Sequence, residues 1–177
     1  MAAQPFQPAP HRGLAGRIHR LLGRRRPANA LVELRNLLAE APSVGQVDPG
    51  KVARIEERFG LELARTFPGE VQGLYRDFVV HCLEDRRFSD EELGNVRHLA
   101  ALLSLPGEVC ELIHRKAARE VYLCSIQEVM ADGSVDPQER DFLRDLQAHL
   151  EIPAEVARNM EEVRRRQLRS RGRWEGE

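Results

Sequence analysis

The sequence predicts an all-α protein, a helical bundle of about seven helices built from tandem helical-hairpin repeats. Three observations lead to this prediction. Residues 121–150 have the pattern of a helix, a tight turn and a second helix. Residues 74–110 repeat at 121–157 without a gap. The composition also suits helices, because 31% of the residues are charged and only 5% are aromatic.

The turn between the two central helices has clear start and stop signals. Asp132-Gly133 is expected to end the first helix, since Gly adopts the left-handed conformation without a Cβ clash. Asp136 can cap the second helix, Pro137 suits its first position, and Glu139 can bond back to the cap. This turn is therefore predicted to be fixed by its own side chains.

The internal repeat has a period of 47 residues. Identical pairs in the two copies include Tyr75/Tyr122, Asp85/Asp132, Glu92/Glu139, Arg97/Arg144, Leu99/Leu146, Leu103/Leu150 and Pro106/Pro153. The second helix starts at Ser89 in copy one and at Asp136 in copy two, in both cases as a capping box. Residues 31–61 are a candidate degraded third copy. Because one hairpin cannot bury its own apolar stripe, we expect the copies to pack together.

The length suits one domain, and the repeat gives its organisation. The predicted segments are a disordered basic N-terminal segment at 1–27, an N-terminal helical hairpin at 28–68, the repeat-containing helical domain at 69–166, and a flexible Arg-rich tail at 167–177. The helix after Pro153 is expected to face inward with Val156, Met160 and Val163.

The charge is distributed unevenly along the chain. Residues 1–32 carry six Arg and no acidic residue, and residues 164–173 carry another six Arg and no acidic residue. Residues 33–163 hold 26 Asp or Glu against 15 Lys or Arg. The protein is therefore expected to have an acidic body with two basic ends, which could contact phosphate groups.

Cysteine usage and hydropathy favour a cytoplasmic location. The three cysteines form no Cys-x-x-Cys pair, which favours a reducing compartment. No run approaches the roughly 18 apolar residues of a transmembrane span. Cys110 and His114 lie one helical turn apart, but two ligands do not make a closed zinc site, so we expect a buried thiol and a surface imidazole. Phosphate-loop and nucleophile motifs are absent, so no enzymatic activity is predicted.

The stretch Met130-Ala-Asp-Gly-Ser-Val-Asp-Pro-Gln-Glu139, followed by Leu146 and Leu150, resembles the TerB-like domain family of tellurite-resistance proteins. That family has an Ala-Asp-Gly turn with a Glu a few residues later, in a pseudo-repeated helical bundle. The tandem arrangement is also similar to helical repeats of a chloroplast inner-envelope import protein. The resemblance covers roughly residues 70–160. Copy one departs from it, with Asp85-Arg86-Arg87 where the family has Asp-Gly.

The resemblance implies a non-enzymatic cytoplasmic interaction or scaffold domain linked to stress response, with a protein partner and some ties to membranes or chaperones. It also implies that acidic residues near the Asp-Gly turn could hold a divalent cation. Asp132, Asp136 and Glu139 are the candidate ligands for Ca²⁺ or Mg²⁺. The turn and the helix cap explain the same residues fully and are the favoured interpretation, because Ser89 replaces Asp136 in copy one, which a cap tolerates and a metal ligand would not.

The N-terminal basic segment is the candidate membrane or partner surface. Its apolar residues recur at helical spacing, with the arginines off that stripe. The residues of this surface are Leu14, Arg17, Ile18, Arg20, Leu21, Arg24, Arg25 and Arg26. The alternatives are a solvated tail and a nucleic-acid contact. The C-terminal Arg block has only Trp174 as an aromatic, so nucleic-acid binding is the less favoured alternative.

Overall fold

The computed structural model describes residues 5–8, 26–83 and 89–170, and this part of the chain is helical without a strand. The all-α prediction is confirmed. The described residues form eight α-helices: α1 (Ala28–Glu40), α2 (Pro49–Phe59), α3 (Leu63–Thr66), α4 (Pro68–Cys82), α5 (Asp90–Leu102), α6 (Gly107–Val129), α7 (Pro137–His149) and α8 (Ala154–Ser170). A 3₁₀ turn, Val44–Gln46, lies between α1 and α2. The helix that the sequence analysis missed is α3, which is a single turn.

The chain divides into two compact units. Unit 1 comprises the residues up to 81 together with 89–110, and unit 2 comprises 82–88 and the residues from 111 onward. We expected one domain, with both copies of the repeat inside 69–166. Instead the boundary falls within α6, so nearly all of copy one belongs to unit 1 and all of copy two belongs to unit 2.

The core of unit 1 is built from the inward faces of α1, α2, α4 and α5. Its buried side chains include Leu34, Leu38, Val52, Ile55, Val71, Tyr75, Phe78, Val79, Val96 and Leu99. Helix α5 also holds the segment that follows α1. His98 Nε2 donates to the carbonyl oxygen of Val47 at 2.8 Å, and the Ser43 hydroxyl donates to Asn95 Oδ1 at 3.3 Å. These bonds fix the 3₁₀ turn against α5.

Phe6 is part of the unit 1 core. Its ring stacks on Phe78 with a centroid distance of 5.8 Å and an interplanar angle of 8°, and its side chain is buried. The predicted disordered segment 1–27 is therefore wrong at residues 5–8. The physical reason is that an aromatic ring gains enough by burial and stacking to order a short Pro-flanked segment. Residues 9–25 of that segment lie outside the described residues.

The core of unit 2 is built from α6, α7 and α8. Its buried side chains include Ile113, Ala117, Tyr122, Ile126, Met130, Leu143, Leu146, Leu150, Ile152, Ala157 and Leu168. Two expectations for α8 are wrong. Val163 is 48% exposed, and the helix continues to Ser170 with Leu168 buried, so the predicted tail at 167–177 begins too early. Both differences follow from the rotation of α8: Ala157, Glu161 and Leu168 share its inner face, and Val163 lies opposite them.

The two copies of the repeat have the same helix ends in the structure. Both second helices begin with a capping box, at Ser89 and Asp136. Both also end in a Schellman motif, with Ser104 and Glu151 in the left-handed region at φ 50° and 52°. In copy one, Leu105 N donates to the Ala100 carbonyl and Ser104 N donates to the Ala101 carbonyl. The equivalent bonds occur in copy two 47 residues later.

Helix α2, in the candidate third copy, ends in the same way. Gly60 is left-handed at φ 63°, its N–H donates to the Glu57 carbonyl, and the N–H of Leu61 donates to the Glu56 carbonyl. At the other end of α2, Asp48 is the N-cap and Pro49 the first residue, as Asp136 and Pro137 are in copy two. Helix α2 has 11 residues whereas α5 and α7 have 13. The third copy at residues 31–61 stays a prediction.

Candidate functional site

The Asp-Gly turn in copy two is closed by its own side chains. Asp132 Oδ1 accepts from the backbone N–H of Ser134 at 2.9 Å and from its hydroxyl at 3.3 Å. Helix α6 already ends at Val129, and Gly133 follows at φ 89°. The expected place of Gly133 directly at the helix C-terminus is therefore wrong, although its left-handed conformation is as predicted. The turn holds Gly133 because its N–H donates to the Met130 carbonyl.

The other two candidate ligands form the capping box of α7. Asp136 Oδ1 accepts from the N–H of Glu139, and Glu139 Oε2 accepts from the N–H of Asp136, both at 2.8 Å. Each carboxylate thus satisfies a backbone donor at the helix start, where its charge also interacts favourably with the helix dipole. In copy one, Ser89 and Glu92 make the same reciprocal bonds at 3.2 and 2.8 Å.

The structure does not gather these acidic residues into a cation site. In the described part of the chain, no group of three or more His, Cys, Asp or Glu side chains is arranged to hold a metal ion. The binding of Ca²⁺ or Mg²⁺ by Asp132, Asp136 and Glu139 therefore gains no support from the geometry and stays a prediction. The corresponding turn of copy one, 84–88, lies outside the described residues.

The candidate basic surface is almost entirely outside the described residues, since Leu14, Arg17, Ile18, Arg20, Leu21, Arg24 and Arg25 fall within 9–25. Arg26 is described and is half-buried just before α1, with its carbonyl accepting from the N–H of Asn29 at 3.0 Å. Among the described helices, none is long and apolar enough to cross a membrane.

Two buried tyrosines lie at equivalent positions of the repeat, and their role was not predicted from the sequence. The Tyr122 hydroxyl donates to Glu161 Oε1 at 2.8 Å, and Glu161 Oε2 pairs with Arg165 at 2.9 Å. Burial, together with the bond to Glu161, raises the pKa of Tyr122. The identity of positions 75 and 122 in the repeat was the available signal, because two duplicated tyrosines predict a shared buried place.

Tyr75 occupies the same place in unit 1 but has a different partner. Its hydroxyl forms a hydrogen bond with the Cys110 thiol group, and burial is the main reason that the pKa of Tyr75 is raised. Cys110 is half-buried, where a fully buried thiol was expected. His114 is also half-buried, where a surface imidazole was expected, and burial lowers its pKa. Both differences arise because this part of α6 is only partly covered.

Two open grooves are present on unit 1. The first has a volume of about 620 Å³ and lies between α1 and α2, where an ion pair joins Glu33 and Arg58. Leu37 and Ile55 form part of its floor. The second, of about 660 Å³, lies around Gly60 and Glu62. Tyr75, His114 and Tyr122, whose pKa values are shifted, line neither of these two grooves.

Comparisons with known proteins identify no relative. No protein-family model matches the chain, and neither the curated proteins nor the solved structures contain a match. The resemblance to the TerB-like family therefore depends on the residues from Met130 to Glu139 and the repeat pattern alone, and family membership stays a prediction.

Proposed function

We propose that this chain is a non-enzymatic helical interaction domain of TerB-like type that holds a protein partner. The observation that supports the proposal is what the two copies share. Their common features are buried tyrosines, capping boxes and Schellman motifs, all of which build helices and turns. A duplicated unit whose repeated polar groups are used in this way is suited to presenting helix surfaces, as helical repeat proteins do.

The arrangement of polar groups also supports binding over catalysis. The carboxylates at the Asp-Gly turn are used by local backbone donors, and the grooves of unit 1 are shallow and separate from the groups with shifted pKa values. An active site normally combines a pocket with ionisable groups whose pKa values are perturbed.

This proposal is tested with the full chain as bait and with a panel of hydrolase substrates. Recovery of one protein in stoichiometric amount, with no turnover of ester, phosphate or peptide substrates, is the expected result. Turnover that copurifies with the chain and disappears when the chain is thermally unfolded would contradict it.

We further propose that the protein is cytoplasmic and has a stress-related role. In this proposal it attaches to an anionic membrane surface through its N-terminal basic segment. Its support is the helical spacing of Leu14, Ile18 and Leu21 among six arginines in residues 1–32. Flotation with phosphatidylserine-containing vesicles tests it. We expect the full chain to float and the variant Arg17→Glu, Arg20→Glu, Arg24→Glu, which keeps the buried Phe6, to stay in the dense fraction. Equal flotation of both would rule out this anchor.

A further inference from the structure

One face of α6 in unit 2 is exposed and combines two leucines with three basic residues. Leu112 and Leu123 are 45% and 40% exposed. They are eleven residues apart, close to three helical turns, so they lie on one line about 16 Å apart along the helix. Arg115, Lys116 and Arg119 are exposed between them. We name these five residues the α6 outer face.

Up to Ala118, the side of α6 that packs in unit 2 is turned away from the α6 outer face, whereas nearer the C-terminus Tyr122 and Ile126 are buried close to the line of Arg115 and Arg119. The buried side of α6 carries Ile113, Ala117, Ala118, Tyr122, Ser125 and Ile126. In the described part of the chain, the exposed large apolar side chains are Leu112, Leu123 and Val163, so two of the three lie on this one face. The two leucines mark the two ends of the face, and the basic residues lie between them.

The charges of this face are not neutralised within the described residues. Arg115, Lys116 and Arg119 form no ion pair there, whereas Arg144, Arg165 and Arg166 on α7 and α8 each pair with a carboxylate. Glu111 and Glu120 lie about a quarter turn to either side of the face, and the exposed Glu108 lies close to its line about one turn before Leu112. The centre of the face is therefore positive, and its two ends are apolar.

We propose that the α6 outer face binds an acidic amphipathic helix of a partner protein, a proposal that rests on the proposed interaction function. The partner helix carries acidic side chains opposite Arg115, Lys116 and Arg119. It carries apolar side chains at both ends, which pack on Leu112 and Leu123. The apolar contacts supply burial, and the charges select the partner and fix its register.

Charge and spacing argue against two other occupants. Pairing two copies of this face, parallel or antiparallel, would place the three basic residues of one chain against those of the other, which is repulsive. A membrane surface favours a continuous apolar stripe with basic residues along its edges, but here the basic residues interrupt the stripe between the leucines. An acidic helix is complementary to the face in charge.

A synthetic helical peptide serves as the probe, with two leucines at the spacing of Leu112 and Leu123 and glutamates opposite the basic residues. Its binding to the full chain is measured by fluorescence anisotropy. We expect the double variant Lys116→Glu, Arg119→Glu to weaken binding on the order of tenfold or more. The double variant Leu112→Ala, Leu123→Ala should weaken it by a similar factor. A charge-reversed peptide with lysines should bind the Lys116→Glu, Arg119→Glu variant better than it binds the wild type.

The matched control is Arg140→Glu, Arg144→Glu on α7, which changes the net charge equally in the same unit and should leave binding unchanged. Circular dichroism and thermal unfolding check that all variants fold. Equal weakening by the control, or no effect of the leucine changes, would overturn the proposal. Binding of phosphatidylserine vesicles through this face, without binding of the peptide, would also overturn the proposal. Self-association of the chain that is abolished in the Lys116→Glu, Arg119→Glu variant would overturn it as well. The hydrolase panel separately tests whether the chain is non-enzymatic.

Discussion

At the residue scale, the repeat keeps a buried tyrosine but changes the group that satisfies it. Tyr75 bonds to Cys110, whereas Tyr122 bonds to Glu161. The position equivalent to Cys110 in copy two is Ala157, and the position equivalent to Glu161 in copy one is His114. A buried hydroxyl needs one partner, but neighbouring positions on the next helix can supply it. The buried aromatic ring is therefore the feature that repeats. The hydrogen-bond partner of the tyrosine hydroxyl differs between unit 1 and unit 2.

The tyrosines predict a loss of stability in alkaline solution. Burial raises the folded-state pKa of Tyr75 and Tyr122 above the ordinary value of 10.0. Their stabilising contribution is therefore complete below pH 10 and is lost as the pH rises above it. We expect the free energy of unfolding of the wild type to fall between about pH 10 and 12, and to fall less steeply in Tyr122→Phe. Urea unfolding across this range measures it, and equal slopes would contradict the prediction.

A second residue-scale prediction separates capping from cation binding at Asp136. Asp136→Ala should destabilise the protein by about 1 kcal/mol because α7 loses its cap, whereas Asp136→Ser should cost much less, since Ser89 caps α5. Chemical unfolding measures both variants. Calorimetry with Ca²⁺ and Mg²⁺ is expected to show no heat of binding. Micromolar binding that is lost in Asp132→Asn would establish a cation site instead.

At the element scale, three helices end in the same motif with different residues in the left-handed position. Gly60 occupies it after α2, Ser104 after α5 and Glu151 after α7. Only glycine adopts this conformation without steric cost. No heavy atom outside its chain neighbours lies within 4 Å of a Cβ built on Gly60, so a side chain there would meet no crowding. The cost of a substitution at Gly60 is therefore conformational.

Because glycine occupies the left-handed position after α2 and other residues occupy it after α5 and α7, matched substitutions at these positions are expected to have opposite effects on stability. Ser104→Gly and Glu151→Gly should each stabilise the protein by up to about 1 kcal/mol, and Gly60→Ala should destabilise it by about 1 kcal/mol. Ala101→Gly is the control, because glycine inside a helix destabilises by about 1 kcal/mol. Urea denaturation gives all four values. Destabilisation by both Ser104→Gly and Glu151→Gly would show that these side chains make contacts that outweigh the backbone cost.

At the scale of the whole molecule, the repeat divides into two compact units. Leu99 and Leu146 are equivalent core positions, and both are buried, the first in unit 1 and the second in unit 2. Each copy therefore contributes to a separate core. Truncating Leu99 or Leu146 singly can show whether each substitution lowers the local stability of its own unit alone.

We expect Leu99→Ala and Leu146→Ala each to cost about 2–5 kcal/mol, and each to act mainly on its own unit. Hydrogen exchange followed by mass spectrometry measures the location of the effect. Leu99→Ala should reduce protection within 26–81 and 89–110, and Leu146→Ala within 111–170. The exposed Arg97→Ala is a control that should leave both patterns unchanged. An equal loss of protection in both units with either truncation would contradict this prediction.

Only part of the candidate functional sites could be predicted from the sequence. The turn at Asp132 and the cap at Asp136 were predictable, because a cap uses atoms within three residues of each other. The α6 outer face was not, since the pattern of α6 alone does not show which of its apolar residues pack in unit 2. Burial of Tyr122 and exposure of Leu123 are settled by the helices packed around α6.

The helical class, the 47-residue repeat, and the capping boxes at Ser89 and Asp136 could be predicted from the sequence, because these depend on local hydrogen bonds and periodicity. Which side of each helix faces a core depends on tertiary packing. Helix α8 illustrates this, since the bond from Tyr122 to Glu161 lies on the same inner face as Leu168 and leaves Val163 exposed. The stacking of Phe6 on Phe78 was likewise invisible in the sequence, because a contact between residues 72 positions apart depends on how the whole of unit 1 packs.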